Sequence, residues 1–494
     1  MLRNMSIRQS LPQIVAVMVK NWLMISLGMS IGYTTILIGG VFDGSTNHFG
    51  SISANQVSWL GSTSTLSIFI GSLLSGIVTQ RLGRKRSMQL VTIPFLAAWL
   101  LFYFSNAFWQ LYLGLGITGL FGGLVEASFC AYVSEITEPQ LRGTLTATGS
   151  MSIFIGLVIQ FLLGTNYNWR KCALISCAFP TITFLLFCFV PESPYWLIMN
   201  GKAEEAKKSL AWLRGWKAPT DVAAEIDEIA NRHESGKCFD WNDVRRYLKR
   251  SFTLPLLLIA FMFLLHTCTG LATLETYSVS IMATMDVPIN AYYATLILGV
   301  SSLSGSSLCI ILVHRLGKRV LLFISLGGLC VCNLLIAAYT NVANIKGIIL
   351  EVQNSSVRDL GADKYGWIPF TLLIMLSIAD HVGNSTLAWV VMAEVFSHET
   401  RLLGCGLGSS ISYLLRFFSN YLFLKLIAFM TLGGVYYLYG SISLLGIIVL
   451  FFVLPETEGK TLEEVSDHFQ GISKLDNKVR RKKKVANCSV TPVI

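Results

Sequence analysis

The chain has 494 residues, of which 53% are hydrophobic and only 13% are charged, about half the charged share of soluble domains. So few charges cannot coat the polar surfaces that soluble domains of this length need. The net charge of +10 does not indicate a nucleic-acid partner, because the basic residues form short clusters between apolar runs. The eleven cysteines lack the spacing of a zinc site or a disulfide framework, so we expect no metal and no cofactor.

Twelve apolar segments are long enough to cross a bilayer, since a spanning helix needs about 20 mostly apolar residues. A bilayer accepts only helices or closed barrels, so the predicted fold class is an all-α membrane protein with twelve transmembrane helices. The first segment follows a charged stretch and has no convincing signal-cleavage site. The segments lie near residues 20–41, 57–79, 88–105, 109–133, 144–165, 171–190, 252–284, 288–313, 320–340, 367–395, 402–430 and 433–454.

A polar stretch between the sixth and seventh segments has helical patterning and divides the chain. Lysine and arginine clusters occupy every second junction, which the positive-inside rule places in the cytoplasm together with both tails. The opposite loops are poor in cations, and one of them carries a glycosylation sequon at Asn354. The predicted parts are a cytoplasmic N-terminus (1–19), a six-helix half (20–197), a cytoplasmic helical linker (198–251), a second six-helix half (252–455) and a basic cytoplasmic tail (456–494).

Three motifs at the cytoplasmic junctions recur in the same order in both halves. RLGRK at 81–85 matches RLGKR at 315–319, a Glu is followed by an Arg seven residues later in each half, and PES at 191–193 matches PET at 455–457. This recurrence indicates a duplicated six-helix unit. Parallel halves around a midplane site are the architecture of major facilitator transporters.

The charges in these motifs predict a gate at the cytoplasmic helix ends, where paired charges can clamp the two halves together. Each exposed pair contributes only about 0–1 kcal/mol, but a network can bias one conformation. The alternative is that the clusters only orient the chain during insertion, which would need no carboxylates. The predicted gate residues are Arg81, Arg84, Glu135, Arg142, Glu192, Arg315, Glu394, Arg401 and Glu456.

With these motifs, the sequence resembles the sugar porter family of the major facilitator superfamily over residues 20–465. Matching segments include YVSEITEPQLRG (132–143), PESPYWL (191–197), SLAWLRG (209–215) and PETEGKTLEEV (455–465). Within the family, the short N-terminus and the SLAWLRG segment are most similar to the insect facilitated trehalose transporter-like branch. The resemblance implies alternating access, a sugar bound between the halves and passive flux.

The sequence departs from the family at the gate and at the sugar site. Gln80 and His314 replace the family's loop-motif Asp, and Leu115 and Tyr195 replace two of its Arg residues. In the seventh span, the family's QQxSGxN amides are replaced by the run 266–272, HTCTGLA. A buried polar group without a hydrogen-bond partner costs about 1–3 kcal/mol. Without the family's amides, hydroxyl groups of a bound hexose would lack such partners.

Residues at the family's cavity positions, or on the same helix face as them, are predicted to contact the substrate. For His266 the alternative is a satisfied core histidine, and for Trp389 it is ordinary packing. His381 is included because it shares a helix face with Ser385. The predicted substrate-binding residues are His266, Thr267, Thr269, Ser150, Ser302, Tyr277, His381, Ser385 and Trp389.

Four ionisable residues, Glu126, Glu275, Asp380 and His381, fall inside apolar spans. A charge there costs about 2.5–3.5 kcal/mol or more unless it is paired or hydrated, so all four are functional candidates. The alternatives are that Glu275 faces an external vestibule and that Asp380 and His381 hold helices together. The first span has no acidic residue where proton-coupled members of the family carry one, which favours passive transport.

The leading hypothesis is a facilitative carrier of a sugar, trehalose or a hexose, that acts as a monomer in the plasma membrane and whose other partner is the lipid bilayer. Because several of the family's gate and sugar-site residues are replaced in this sequence, two alternatives remain. One is a solute sensor that does not transport, and the other is an ion-coupled carrier of a different small solute. An enzyme is not expected, because no nucleophile–base set or phosphate-cradling loop is evident.

Overall fold

The computed structural model describes residues 7–41, 52–227, 250–350, 365–396 and 401–458, and also positions 460, 462–470, 472 and 475. All of the regular structure in these ranges is helical. Asn354 lies outside the described residues, as do most of the basic tail and the side chains of Arg142 and Arg401. The predictions for these three residues therefore stay predictions.

The first half consists of six spans. Spans one, two and three are the helices Ile7–Val41, Ala54–Leu82 and Arg84–Phe104. Span four comprises Phe108–Leu124 and Glu126–Ile136, span five is Pro139–Asn166, and span six comprises Trp169–Ser176 and Ala178–Cys188. The first helix begins at Ile7, before the predicted start of the span at residue 20.

The second half repeats this plan. Span seven comprises Arg250–Cys268 and Leu271–Thr284, span eight is Ala291–Leu316, and span nine is Lys318–Val342. Span ten comprises Trp367–Val382 and Asn384–Val395. Spans eleven and twelve are the two parts of Arg401–Val453, which bends at Thr431.

Nine helices of the described chain are long and apolar enough to cross a membrane, and the bent pair that forms span four makes a tenth. The bend at Thr431 divides one of the nine into two spans, and span ten is broken into two shorter helices. The twelve predicted spans are therefore consistent with the structure. Large apolar side chains such as Phe104, Leu257 and Phe452 are mostly exposed on the outside of the bundle, as expected for a surface that faces lipid.

The two halves contact each other mainly along three pairs of spans: two with eleven, five with eight, and one with the second helix of seven. In the pair of spans two and eleven, Asn420 donates from Nδ2 to the carbonyl of Gly61 at 3.1 Å, and the hydroxyls of Ser72 and Ser410 lie 3.3 Å apart. Polar side chains thus join the halves near the start of span two and again near its middle.

The described part of the linker packs against the first half. Its helices, Pro194–Met199 and Ala203–Leu213, enclose a small apolar core with the turn Pro219–Val222. Arg214 pairs with Glu225 at 2.6 Å and donates to the carbonyl of Ile136 at 3.4 Å. The last described helix, Leu462–Gln470, packs instead on spans seven and ten.

Candidate functional site

One end of the bundle, which we call the basic face, carries Arg84 and Lys318 at the starts of spans three and nine. Arg84 forms a bidentate ion pair with Glu135 of span four, with Nε and Nη2 at 2.9–3.1 Å from the carboxylate oxygens. Glu192 instead accepts hydrogen bonds from the backbone N–H groups of Arg84, Lys85 and Arg86 at 3.0, 2.8 and 3.1 Å. Glu192 therefore caps span three, whose first N–H groups have no partner within the helix.

The second half builds the same arrangement from the repeated motif. Lys318 Nζ lies 2.7 and 2.6 Å from the two carboxylate oxygens of Glu394. Glu456 accepts from the backbone N–H groups of Lys318 and Arg319 at 3.2 and 3.0 Å. The repeat read from the sequence therefore corresponds to a repeated set of contacts in space.

These ion pairs differ from the predicted gate in the spans that they join and in the cations that form them. Each pair joins spans of the same half, so it does not clamp one half to the other in this arrangement. Arg81 and Arg315 are exposed at the ends of their helices, whereas the buried cations are Arg84 and Lys318. Lys318 is not among the predicted gate residues, although the alignment of RLGRK with RLGKR places it opposite Arg84.

A glycine precedes each capped helix because the capping carboxylate lies too close to this position for a side chain. Gly83 and Gly317 have φ of +97° and +87°, values that L side chains adopt only with strain. A Cβ on Gly83 would lie 2.6 Å from Oε2 of Glu192. The glycine of the motif is therefore required by the cap.

His314, which replaces the family's Asp, finds its own partner at the basic face. Its Nδ1 lies 2.9 Å from Glu458, whose other oxygen lies 3.0 Å from Lys318 Nζ. Burial raises the pKa of Glu458, but the hydrogen bond from His314 and the charge of Lys318 outweigh burial, and the net pKa is below its usual range. One position that departs from the family is thus compensated locally.

Inside the bundle, spans seven and ten are both broken, at Gly270 and Gly383. Asn384 connects the two breaks, because its Nδ2 donates to Thr269 Oγ1 at 3.2 Å and to Asp380 Oδ1 at 2.8 Å. Asn333 of span nine donates to the carbonyl of Thr269 at 3.0 Å. The bond from Asn333 satisfies the backbone carbonyl of Thr269, which an unbroken helix would have paired internally.

Two acid–histidine pairs lie beside these breaks. Asp380 Oδ2 is 3.5 Å from His266 Nδ1, and Glu275 Oε1 is 3.6 Å from His381 Nε2. Glu275 Oε2 also lies 2.5 Å from Nη2 of Arg416 in span eleven. The expectation that Glu275 faces an external vestibule is wrong for this arrangement, because its side chain is buried and paired with a cation.

The pairs also touch the first half. His381 Nδ1 donates to the carbonyl of Ser377 at 2.9 Å, and the imidazole packs edge-on against Phe154 of span five, with ring centroids 4.9 Å apart. Thr35 of span one donates to the carbonyl of Glu275 at 2.7 Å. His381 and Glu275 therefore lie where spans one, five, seven and ten meet.

Of the other predicted substrate residues, most are buried in polar or aromatic contacts of the second half. Thr267 bonds within its own helix, Ser302 lies 2.9 Å from the hydroxyl of Ser377, and Tyr277 donates to the carbonyl of Asn420 at 3.0 Å. Trp389 packs on Phe263 and is partly exposed, whereas Ser385 is buried. Ser150, in span five, is exposed, and no contact brings it to the others.

Two residues of this region were missed by the sequence analysis. Arg416 interrupts the apolar run SYLLRFF, so the rule that selected Glu275 would have selected it too. Gln160 of span five is fully buried and accepts from Ser176 at 3.0 Å. Its Nε2 has no hydrogen-bond partner within the described ranges, which leaves an amide donor free beside span one.

The sequence matches the family model described as sugar (and other) transporter over residues 20–469. The chain belongs to this family. Relatives include the facilitated trehalose transporter Tret1 of Polypedilum vanderplanki, 27% identical over 93% of this chain and 87% of that protein. Tret1 of Apis mellifera ligustica is 25% identical over 97% of this chain and 91% of that protein.

Solved structures show the same fold. The partially occluded inward-open xylose transporter XylE from E. coli superposes with a TM-score of 0.71 at 18% identity, over 90% of this chain and 99% of that one. The resemblance to the sugar porter family and the all-helical membrane fold predicted from the sequence are thus confirmed. The protein is a multi-pass membrane protein of a transporter family.

Proposed function

We propose that this protein is a facilitative carrier that moves a sugar across the membrane by alternating access. The observation that supports this most is the position of the broken spans. Their polar side chains lie where the second half meets spans one and five of the first, as shown by the contacts of Thr35 and Phe154. A solute bound there would touch both halves, so rocking of one half against the other would expose it to either side.

The proposed direction of this arrangement rests on which ends of the halves touch. At the end away from the basic face, Thr35 bonds to Glu275, and Trp59 packs on Tyr421 with centroids 5.1 Å apart. At the basic face, the ion pairs stay within each half. With the basic face proposed to be cytoplasmic, the arrangement is the inward-facing one.

The proposed substrate is trehalose or a hexose, carried by a monomer in the plasma membrane. Two relatives with extensive coverage are named as trehalose transporters, which supports the disaccharide. Gln160, the free amide on span five, offers a donor to a sugar hydroxyl, a role that the sequence analysis gave to Ser150. The two residues provide a matched pair of variants on one helix.

The test is counterflow of labelled trehalose and glucose in vesicles that contain the purified protein. We expect saturable counterflow of at least one sugar, lowered roughly tenfold or more by Gln160→Ala, since the hydrogen bond from the free amide donor to a sugar hydroxyl is lost. Ser150→Ala is the control and should keep wild-type flux. Saturable binding with no counterflow of any sugar would instead support a sensor built on the transporter fold.

A further inference from the structure

The buried charges around the breaks of spans seven and ten do not balance unless a proton is bound. Glu275 is neutralised by Arg416, 2.5 Å away. Asp380 is fully buried, and its contacts are His266 and the uncharged amide of Asn384. With both histidines neutral, this cluster would carry a net charge of minus one inside the membrane, where an uncompensated charge is strongly disfavoured.

Among the residues that the structure describes, no ion pair joins Asp380 to a cation other than His266. Span seven contributes His266 and Glu275, span ten His381, and span eleven Arg416, which is already paired. Spans nine and twelve contribute Ser325, Asn333 and Tyr439 around the same breaks. These three side chains are uncharged at neutral pH.

A second observation marks the place of the proton. His266 Nδ1 and Asp380 Oδ2 are buried and 3.5 Å apart, and neither has a hydrogen-bond partner among the residues that the structure describes. A buried polar atom without a partner is rare in folded proteins and needs an explanation. One additional proton between these two atoms, with the imidazole's own proton on Nε2, would pair both of them and bring the net charge of the cluster to zero.

We propose that Asp380 and His266 form a binding site for a single proton taken up from the aqueous phase. The site lies beside Thr269 and Asn384, at the breaks where the proposed function places the solute. Both residues belong to the second half, and a rigid movement of the halves leaves their contact intact. The proton therefore stays with the protein through the cycle, and transport remains passive.

The experiment measures charge displacement after a pH jump in vesicles that contain the full chain and no sugar. A proton that moves into the membrane interior displaces charge, so the wild-type protein should give a transient current when the pH is lowered from an alkaline value at which the site is empty. Asp380→Asn and His266→Gln should each reduce it to less than about a tenth. Glu204→Gln, on the exposed linker surface, should leave it unchanged.

Glu126 of span four is the competing buried carboxyl, in hydrogen-bond contact with Ser72 and Ser409. If Glu126→Gln abolishes the current while Asp380→Asn keeps it, the proton is bound elsewhere and the proposal is overturned. A wild-type protein without a current overturns it as well. Thermal unfolding checks that Asp380→Asn is folded, and if it is not, His266→Gln decides.

Sugar counterflow in the same vesicles separates this inference from the proposed function, because the current needs no sugar. Counterflow without a current overturns the proton site and leaves the carrier. A current that depends on Asp380, without counterflow of any sugar, supports the proton site and overturns the carrier.

Discussion

Glu192 and Glu456 each bind the first backbone N–H groups of a span that starts after a glycine with positive φ. From the sequence, both residues are predicted to belong to the gate because of their charge. The sequence alone could not identify the caps, because Glu192 lies 108 positions from Arg84 in the chain. Contacts over such separations depend on how the spans pack. The match of PES with PET did predict that the two residues are equivalent.

The capping role of Glu192 and Glu456 predicts which alanine variant is the less stable. Glu456→Ala should lower the free energy of unfolding by about 2 kcal/mol, since its fully buried carboxylate leaves several N–H groups unpaired. Glu192→Ala should cost less, because Glu192 is partly exposed and water can replace it. Thermal unfolding of the purified protein measures both.

Glu204→Ala is the control for the caps, since Glu204 forms only an exposed pair with Lys207 and should change stability by less than about 0.5 kcal/mol. Equal unfolding midpoints for all three variants would contradict the capping role.

Among the substrate residues, the sequence predicted the region better than the individual contacts. His266, Thr269 and His381 do lie around the breaks of spans seven and ten. The sequence could not predict that Asp380 faces His266 or that Arg416 neutralises Glu275, because these pairs depend on the rotation of helices that are distant in the chain. The role of His266, Thr269 and His381 in substrate binding stays a prediction.

At the scale of elements, hydropathy located the twelve spans, since length and apolar content are local properties of the sequence. It did not locate the break in span ten. The break at Gly383 is held from span nine, where Ser325 accepts from the backbone N–H of Asn384 at 2.9 Å and donates to the carbonyl of Ala379. Because these partners come from another helix, the broken helix alone does not reveal its break.

The break in span seven predicts a graded set of glycine variants. Gly270→Ala combines backbone strain, at φ of +98°, with a Cβ that would lie 2.7 Å from the ring of Tyr439. Strain costs about 1–2 kcal/mol and overlap about 1–3 kcal/mol more. Gly270→Ala should therefore lower the unfolding midpoint the most.

Variants of two other glycines separate the cost of backbone strain from the cost of steric overlap. Gly201 has φ of +72° with open space around its Cβ position, so Gly201→Ala should show the strain alone. Gly327 has open space and no positive φ, so Gly327→Ala should be close to neutral. If Gly270→Ala is no more destabilising than Gly201→Ala, the close packing of Tyr439 on the break is refuted.

For the whole molecule, the arrangement of the halves depends on small residues at their contact. Gly61 of span two touches span seven, and a Cβ there would lie 2.6 Å from the hydroxyl of Tyr277. Gly61→Ala should push the halves apart at the end away from the basic face. A cost of about 1.4 kcal/mol to the closed arrangement would change its population ratio roughly tenfold.

Labelling of Thr276→Cys from the side away from the basic face measures this shift, in a background without the native cysteines. Thr276 is buried in the present arrangement, so Gly61→Ala should speed its labelling. Gly76→Ala on the same span adds a Cβ in open space and should not. The same labelling rate in both variants would mean that this contact does not set the arrangement.

The two halves and their duplicated contacts fit a carrier, and we propose that its transport is passive, as the names of the facilitated trehalose transporters among its relatives suggest for them. The most direct test is the final distribution of labelled trehalose across vesicles that contain the purified protein. Trehalose should enter with saturable kinetics and stop when its concentrations inside and outside are equal, whether or not a proton gradient is imposed. Accumulation of trehalose above the outside concentration when a proton gradient is imposed would contradict the account, and so would tight binding of trehalose with no entry at all.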